Sequence, residues 1–125
     1  MDAVRLQQFV ERYFAAVDRK DIDGVLAFFV PDAVFTVATF DTVYRGRDTE
    51  VRGMFERLFE RYAGVWHGDF THVLQPPALA ATRFRVENTT FAGEKIRKNN
   101  CNFFRLRGEQ FDDVRVYMSG DNALR

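Results

Sequence analysis

FVERYFAAVDRKDIDGVLAFFVPDAVFTVATFDTVYRG, residues 9–46, is the stretch that decides the fold. Apolar side chains recur in it at helical spacing and then, after Pro31, give way to a run of branched and aromatic residues. The first pattern is typical of amphipathic helices and the second of a strand. Tyr13 puts a hydroxyl in the middle of the apolar helix face, where a buried phenol normally needs a hydrogen-bonding partner. The stretch therefore predicts helices that lead into a sheet, with a pocket between them.

The rest of the chain divides into one more helix and a series of strands. Helices are predicted over residues 2–18, over residues 22–29 after an Asp21 cap, and from a cap at Asp48 or Thr49 up to Gly64. Strands are predicted over residues 33–39, 42–44, 65–74, 78–90, 95–107 and 111–118. Consecutive strands joined by tight turns make an antiparallel meander, and helices confined to the first half must cover one face of it. The predicted fold class is α+β.

Length and composition indicate one domain, which we assign to residues 1–119, with a loose tail over residues 120–125. Eighteen basic residues balance 18 acidic ones, so neither a nucleic acid nor an anionic membrane is an expected partner. The single cysteine, Cys101, excludes an internal disulfide and a thiolate metal cluster, which suits the cytoplasm. We expect no signal peptide and no apolar run near the ~20 residues of a membrane span. No metal or organic cofactor is expected either.

Several short motifs follow one another in a recognisable order. They are Tyr13 followed by Ala15-Ala16, Asp21-Ile22-Asp23-Gly24, Phe28-Phe29-x-Pro-Asp-Ala33, Tyr44-x-Gly46 and Phe104-Arg105-Leu106. With them the chain resembles the nuclear transport factor 2-like superfamily, and within it the SnoaL-like and ketosteroid-isomerase-like group, over residues 4–118. The resemblance implies a curved, mainly antiparallel sheet wrapped around three helices into a cone with a pocket inside, and a homodimer through the outer sheet face. It does not identify a reaction, because this fold hosts isomerases, cyclases, dehydratases, epoxide hydrolases and non-catalytic proteins.

The isomerases of this group use a carboxylate base and two hydrogen-bond donors that hold an enolate oxygen. Matching the motifs places Tyr13 at the donor tyrosine and Asn102 at the second donor, where a carboxamide donates without a raised pKa. The same match places Val37 at the base. Valine cannot accept a proton, so a standard ketosteroid isomerase is not predicted.

Other groups remain candidates for the base. Asp41 follows the first strand, where a solvated turn aspartate is the alternative. SnoaL-like cyclases, which the chain also resembles, use a histidine and an aspartate, so His67 and His72 become candidates, with surface histidines as the alternative. They are five residues apart and point to opposite faces of a regular strand, so we expect at most one in the pocket. Asp69 would share a face with His67, unless a bulge at Gly68 changes the alternation.

The strand over residues 78–90 carries a second possible chemistry on one of its faces. One face holds Arg83, Arg85 and Glu87, and the other holds Thr82, Phe84 and Val86. The Arg-x-Glu pattern resembles limonene-epoxide hydrolases, yet the position of their second carboxylate is matched here by Val116. We therefore predict that the arginines face outward, since two buried arginines with one acid would leave an uncompensated charge.

Two functions remain open. One is a cofactor-independent enzyme of the isomerase, cyclase or dehydratase type acting on a hydrophobic, oxygenated small molecule, with Tyr13 and Asn102 as donors and His67, His72 or Asp41 moving a proton. The alternative is a non-catalytic module, in which the same pocket holds a ligand or the sheet face recognises a protein. For Asn100 and Asn102 there is a separate alternative, in which they lie near a bulge and satisfy backbone groups. The expected ligand-binding residues are Tyr13, Phe28, Val37, Phe55, Trp66, Phe84, Asn100, Asn102, Phe104, Val116 and Met118.

Overall fold

Three α-helices and a six-stranded sheet make up the fold in a computed structural model that describes residues 1–125. The helices are α1 (Ala3–Asp18), α2 (Ile22–Leu26) and α3 (Arg52–Arg61), and the strands are β1 (Phe29–Val37), β2 (Thr42–Arg45), β3 (Gly64–Gln75), β4 (Leu79–Thr89), β5 (Lys95–Arg107) and β6 (Gln110–Met118). Every predicted element is present. The predicted second helix was three residues too long, because β1 already begins at Phe29.

The first two helices begin at aspartate caps. Asp2 Oδ1 accepts a hydrogen bond from the Arg5 amide at 2.8 Å, and Asp21 Oδ1 accepts one from the Gly24 amide at 3.0 Å. These bonds satisfy amides that have no partner inside the helix. The third helix was expected to start from an Asp48 or Thr49 cap, and that prediction was wrong. A π-helical turn over Gly46–Val51 leads into it without any side-chain cap.

The strands lie in the order β2-β1-β6-β5-β4-β3. Only β1 and β6 pair in parallel, and all other neighbours are antiparallel. The sheet curves around the helices without closing, which confirms the predicted α+β cone. One register shift matters below: it lies in β3 between Gly68 and Thr71.

The core lies between α1, α3 and the inner face of the sheet, and phenyl rings dominate it. The Tyr13 ring packs at the centre of a cage formed by Phe28, Phe29, Phe55, Phe104 and Phe111, at centroid distances of 5.3 to 6.4 Å. Edge-to-face contacts of this kind hold each ring in one orientation. Tyr13 is therefore fixed on the helix side of the pocket.

The outward direction of the β4 arginines is confirmed. Thr82, Phe84 and Val86 are buried, whereas Arg83 donates to Thr71 Oγ1 and Arg85 donates to Asp69 on the outer face. The arrangement needed for an epoxide hydrolase is thus absent from the cone interior.

The C-terminal residues are not the loose tail that composition suggested. Ala123 is buried, and its carbonyl oxygen accepts a hydrogen bond from Arg61 at 2.6 Å. The Tyr44 hydroxyl donates to the Leu124 carbonyl oxygen at 2.7 Å. These bonds hold the tail against α3 and β2. None of the helices is both long enough and apolar enough to cross a membrane.

Candidate functional site

Two small cavities lie side by side inside the cone. The first, of about 30 Å³, is lined by Tyr13, Phe14, Val17, Phe35, Phe55, Leu58, His67, Phe84, Asn100, Asn102, Val116 and Leu124. The second, also about 30 Å³, is lined by Leu58, His67, Val86, Asn88, Lys98, Asn100, Met118, Ala123 and Leu124. Four residues border both, so the cavities adjoin: Leu58, His67, Asn100 and Leu124. Each has room for about one or two water molecules, so a larger ligand requires side chains to move.

His67 and Asp18 form a hydrogen-bonded pair at the edge of the first cavity. His67 Nδ1 lies 2.6 Å from Asp18 Oδ1, and the His67 amide donates to Asp18 Oδ2 at 3.2 Å. Both side chains are largely buried, and the Phe14 ring stacks on the imidazole at 5.0 Å between centroids. A carboxylate only accepts, so Nδ1 carries the hydrogen. In the neutral imidazole, Nε2 is then the nitrogen with a lone pair for a ligand.

Asp18 was not among the predicted site residues, although the sequence carries a signal for it. It is the last residue of α1, whose final turn has no basic residue. The helix dipole disfavours an acid at that end, typically by a few tenths to about 1 kcal/mol. Pairing with a group outside the helix compensates Asp18 for this unfavourable interaction with the helix dipole.

The Tyr13 phenol lines the same cavity. Burial, with a smaller contribution from the Asp18 carboxylate, raises the pKa of this phenol well above its ordinary value, and no hydrogen bond to the phenol offsets the shift. Tyr13 therefore stays protonated across the physiological range and is available as a donor.

Asn100 and Asn102 present buried carboxamides to the cavity from β5. Their Oδ1 atoms, like that of Asn88, have no hydrogen-bond partner. Both residues lie in a regular part of the β4–β5–β6 ladder, so the interpretation that they satisfy backbone groups near a bulge was wrong. Leaving a buried polar atom unpaired costs about 1–3 kcal/mol. A ligand or a water molecule in the cavity would remove that cost.

His72 does not point away from the helices, and the expectation of opposite faces for the two histidines was wrong. The register shift in β3 includes Asp69 in a left-handed conformation (φ 55°), and it restores His72 to the inner face. There both ring nitrogens are occupied: Nδ1 lies 2.8 Å from Thr82 Oγ1 and Nε2 lies 2.9 Å from Glu11 Oε2. His72 lines neither cavity, and Asp69 lies on the outer surface rather than beside His67.

The predicted site residues divide by position. Seven line the first cavity, and Met118 lines the second; the seven are Tyr13, Phe55, His67, Phe84, Asn100, Asn102 and Val116. Asp41 is exposed in the turn before β2, and Trp66 is 46% exposed on the outer face. Val37 and Phe104 are buried in the core, and Phe28 packs on Phe9 and Tyr13; none of the three lines either of the two inner cavities. The sequence did not reveal the cavity roles of Asn88, Lys98 and Leu124.

Comparison with known proteins agrees with this architecture. The family model of the SnoaL-like domain matches residues 10–114. The chain belongs to the SnoaL-like domain family. No curated protein matches it.

Solved structures share the fold of this SnoaL-like domain at low sequence identity. A candidate polyketide cyclase from Xanthomonas campestris pv. campestris has a TM-score of 0.83 at 19% identity, covering 94% of this chain and 92% of its own. A protein with a ketosteroid isomerase-like fold from Catenulispora acidiphila, in complex with trimethylamine, has a TM-score of 0.77 at 14% identity over 87% and 83%. A candidate aromatic ring hydroxylase from Novosphingobium aromaticivorans has a TM-score of 0.78 at 24% identity over 99% and 96%. These three proteins share one fold but carry different names, so the fold does not identify a reaction. The chemistry of this SnoaL-like domain has to be inferred from its own site.

Proposed function

We propose that this SnoaL-like domain binds a largely apolar, oxygenated small molecule inside the cone and moves a proton on it with its own side chains. The observation that carries the proposal is the His67–Asp18 pair, 2.6 Å apart, on the wall of a cavity that Tyr13 and Asn102 also line. A base held by a carboxylate, beside buried donors, is the arrangement that proton transfer next to a carbonyl needs.

In the proposed reaction His67 Nε2 takes a proton from the carbon beside a ligand carbonyl. The resulting imidazolium is stabilised by the Asp18 carboxylate on Nδ1. Negative charge that develops on the ligand oxygen accepts hydrogen bonds from the Tyr13 hydroxyl and the Asn102 amide. In an isomerisation the proton returns to a different carbon of the ligand. In a cyclisation the new carbanion attacks a second carbonyl group of the ligand, and the proton goes to the alkoxide that forms. In an elimination the bond to a β-hydroxyl group breaks, and the proton leaves with that group as water.

The apolar walls of the cavity support this proposal. Phe14, Phe55 and Phe84 surround the polar groups and would exclude water once a ligand is bound. In such surroundings the hydrogen bonds to a developing oxyanion are stronger than in water, because the effective dielectric constant is lower.

The test is hydrogen exchange on a simple ketone. In D₂O, 2-tetralone should exchange the hydrogens next to its carbonyl faster with the protein than without it, as followed by proton NMR. His67→Gln should lower the catalysed rate by about 10²- to 10⁴-fold, because the base is lost. His72→Gln is the matched control: it changes a histidine of the same strand that lines neither cavity, and it should leave the rate within about twofold. Equal rates for wild type and His67→Gln would contradict the proposal.

The alternative function is a ligand-binding module without chemistry, and Val37 at the position of the isomerase base is the observation that favours it. The same NMR samples distinguish catalysis from binding without catalysis. If 2-tetralone shifts the NMR signals of cavity residues but its hydrogens exchange at the buffer rate, the domain binds and does not catalyse.

A further inference from the structure

Lys98 is a buried ammonium group that the proposed reaction does not use. It lies on the inner face of β5, is 4% exposed, and lines the second cavity with Asn88 and Asn100. Its Nζ donates to the Ser119 carbonyl oxygen at 2.8 Å and to the carbonyl oxygen of Asp121. These partners are backbone carbonyls where the chain leaves β6 for the C-terminal tail.

The Lys98 ammonium forms no salt bridge. Its hydrogen-bond partners are neutral, and the acid that acts on it electrostatically, Asp121, is exposed. Burial lowers the pKa of the Lys98 ammonium, and the smaller effect of Asp121 opposes this. A buried cation without a carboxylate partner is costly, and an anionic ligand would compensate it.

The tail that bonds to Lys98 through Asp121 also borders the two cavities farther along the chain. Leu124 borders both of them, and Ala123 borders the second. The segment is held by a few hydrogen bonds from exposed or half-buried donors such as Tyr44 and Arg61. If it moves away, the cavities join into one pocket that runs from Tyr13 and Asn102 to Lys98.

We propose that the second cavity is a carboxylate-binding subsite of the pocket. The ligand carboxylate replaces the tail carbonyl oxygens on the Lys98 ammonium, and the apolar body of the ligand takes the space of the Leu124 side chain. Asn88 and Asn100, whose Oδ1 atoms have no partner, can turn an amide N–H toward the same carboxylate. This proposal rests on the proposed function, because it assumes that the ligand binds inside the cone. It adds that the ligand is a largely apolar, oxygenated molecule with a carboxylate group.

The test compares benzoate with benzamide, which have nearly the same shape and differ in charge. Isothermal titration calorimetry on the wild-type protein should give benzoate at least a tenfold lower Kd than benzamide. Lys98→Met removes the charge at nearly constant size and should abolish this preference while circular dichroism reports a folded chain. Lys95→Met is the matched control: Lys95 lies on the same strand, is exposed and pairs with Glu87, and this variant should keep the preference.

The subsite would be overturned if the preference for benzoate survived Lys98→Met or if Lys95→Met removed it equally. It would also be overturned if the wild-type protein bound neither compound. Amide hydrogen exchange provides a second measurement that needs no variant: benzoate, and not benzamide, should accelerate exchange at residues 122–124 by releasing the tail. Failure here is distinguishable from failure of the proposed function, because 2-tetralone carries no carboxylate. If its His67-dependent exchange persists while benzoate is not preferred, only the subsite is wrong.

Discussion

The two oxygens of Asp18 determine which nitrogen of the neutral His67 ring carries the hydrogen. Oδ1 accepts from the ring Nδ1 and Oδ2 accepts from the His67 amide. In Asp18→Asn the backbone amide still needs an acceptor, so the amide oxygen should stay there and the NH₂ group should turn to Nδ1. Nδ1 would then have to accept, and the hydrogen would move to Nε2.

We therefore expect Asp18→Asn to convert His67 from the Nδ1–H to the Nε2–H tautomer and to lower ketone exchange by about 10²-fold or more. Nitrogen-15 NMR of the imidazole ring distinguishes the tautomers directly. Glu11→Gln is the control, since Glu11 contacts the other histidine, His72, and it should leave the His67 signals in place. An unchanged His67 tautomer in Asp18→Asn would show that the carboxylate does not set it.

Asn102 is expected to reduce stability in exchange for function. Its Oδ1 is buried without a partner, and the residue is 2% exposed. Asn102→Leu has a similar size and no polar atom, so the free energy of unfolding should rise by about 1 kcal/mol or more while ketone exchange falls. Thermal unfolding measures the first effect. Asn99→Leu changes a neighbouring residue that is exposed on the outer face and should not stabilise; a lower melting temperature for Asn102→Leu would contradict the argument.

At the scale of elements, the register shift in β3 places both histidines on the inner face. It depends on Asp69, whose φ of 55° lies in the left-handed region. Asp69→Val puts a β-branched residue there and should lower the free energy of unfolding by about 1–3 kcal/mol. Asp69→Gly loses an exposed ion pair with Arg85, which contributes little, and should keep stability near that of wild type. Urea unfolding measures both, and equal destabilisation by the two substitutions would show that backbone strain is not the cause.

Periodicity predicted the elements well wherever a pattern was long. β5 has the predicted bounds Lys95–Arg107, because its 13 residues alternate between two turns that mark both ends of the strand. The register shift in β3 was not predictable in this way. Its left-handed residue is an aspartate rather than the glycine beside it, and one extra residue reverses the faces of all that follow. The predicted direction of the His72 side chain was therefore wrong, whereas the predicted strand was confirmed.

At the scale of the molecule, the candidate site was predictable only in part. Spacing shows that Tyr13 and Asn102 face the interior, but it does not show which distant residues meet there. Asp18 and His67 are 49 residues apart in sequence, and they meet only because α1 lies across β3. Leu124 lies in a segment without any periodic pattern, so nothing in the sequence connected it with the cavity.

The outer face of the sheet carries an apolar patch that the single chain leaves uncovered. Val73, Leu79, Phe103 and Tyr117 are between 42% and 71% exposed and line a groove of about 570 Å³. Exposed apolar side chains that lie together in one groove often mark a site of interaction with another protein. Arg115 and Asp113 border the groove and pair with each other at 3.2 Å within the chain, so this pair leaves no uncompensated charge when two copies face each other across a two-fold axis. We propose that the domain forms a homodimer through this face.

Phe103→Glu tests the dimer, because it places a charge at the centre of the patch where a second copy would have to bury it. Light scattering after size-exclusion chromatography should give about twice the 14.6 kDa chain mass for wild type and about the single-chain mass for the variant. Phe91→Glu is the matched control: Phe91 is 73% exposed in the β4–β5 turn, away from the patch, and this variant should remain dimeric. A wild-type mass of one chain, or a dimer that survives Phe103→Glu, would mean that the patch has another role. Because Phe103 points away from the cavities, ketone exchange per chain should persist in the monomeric variant, which separates assembly from chemistry.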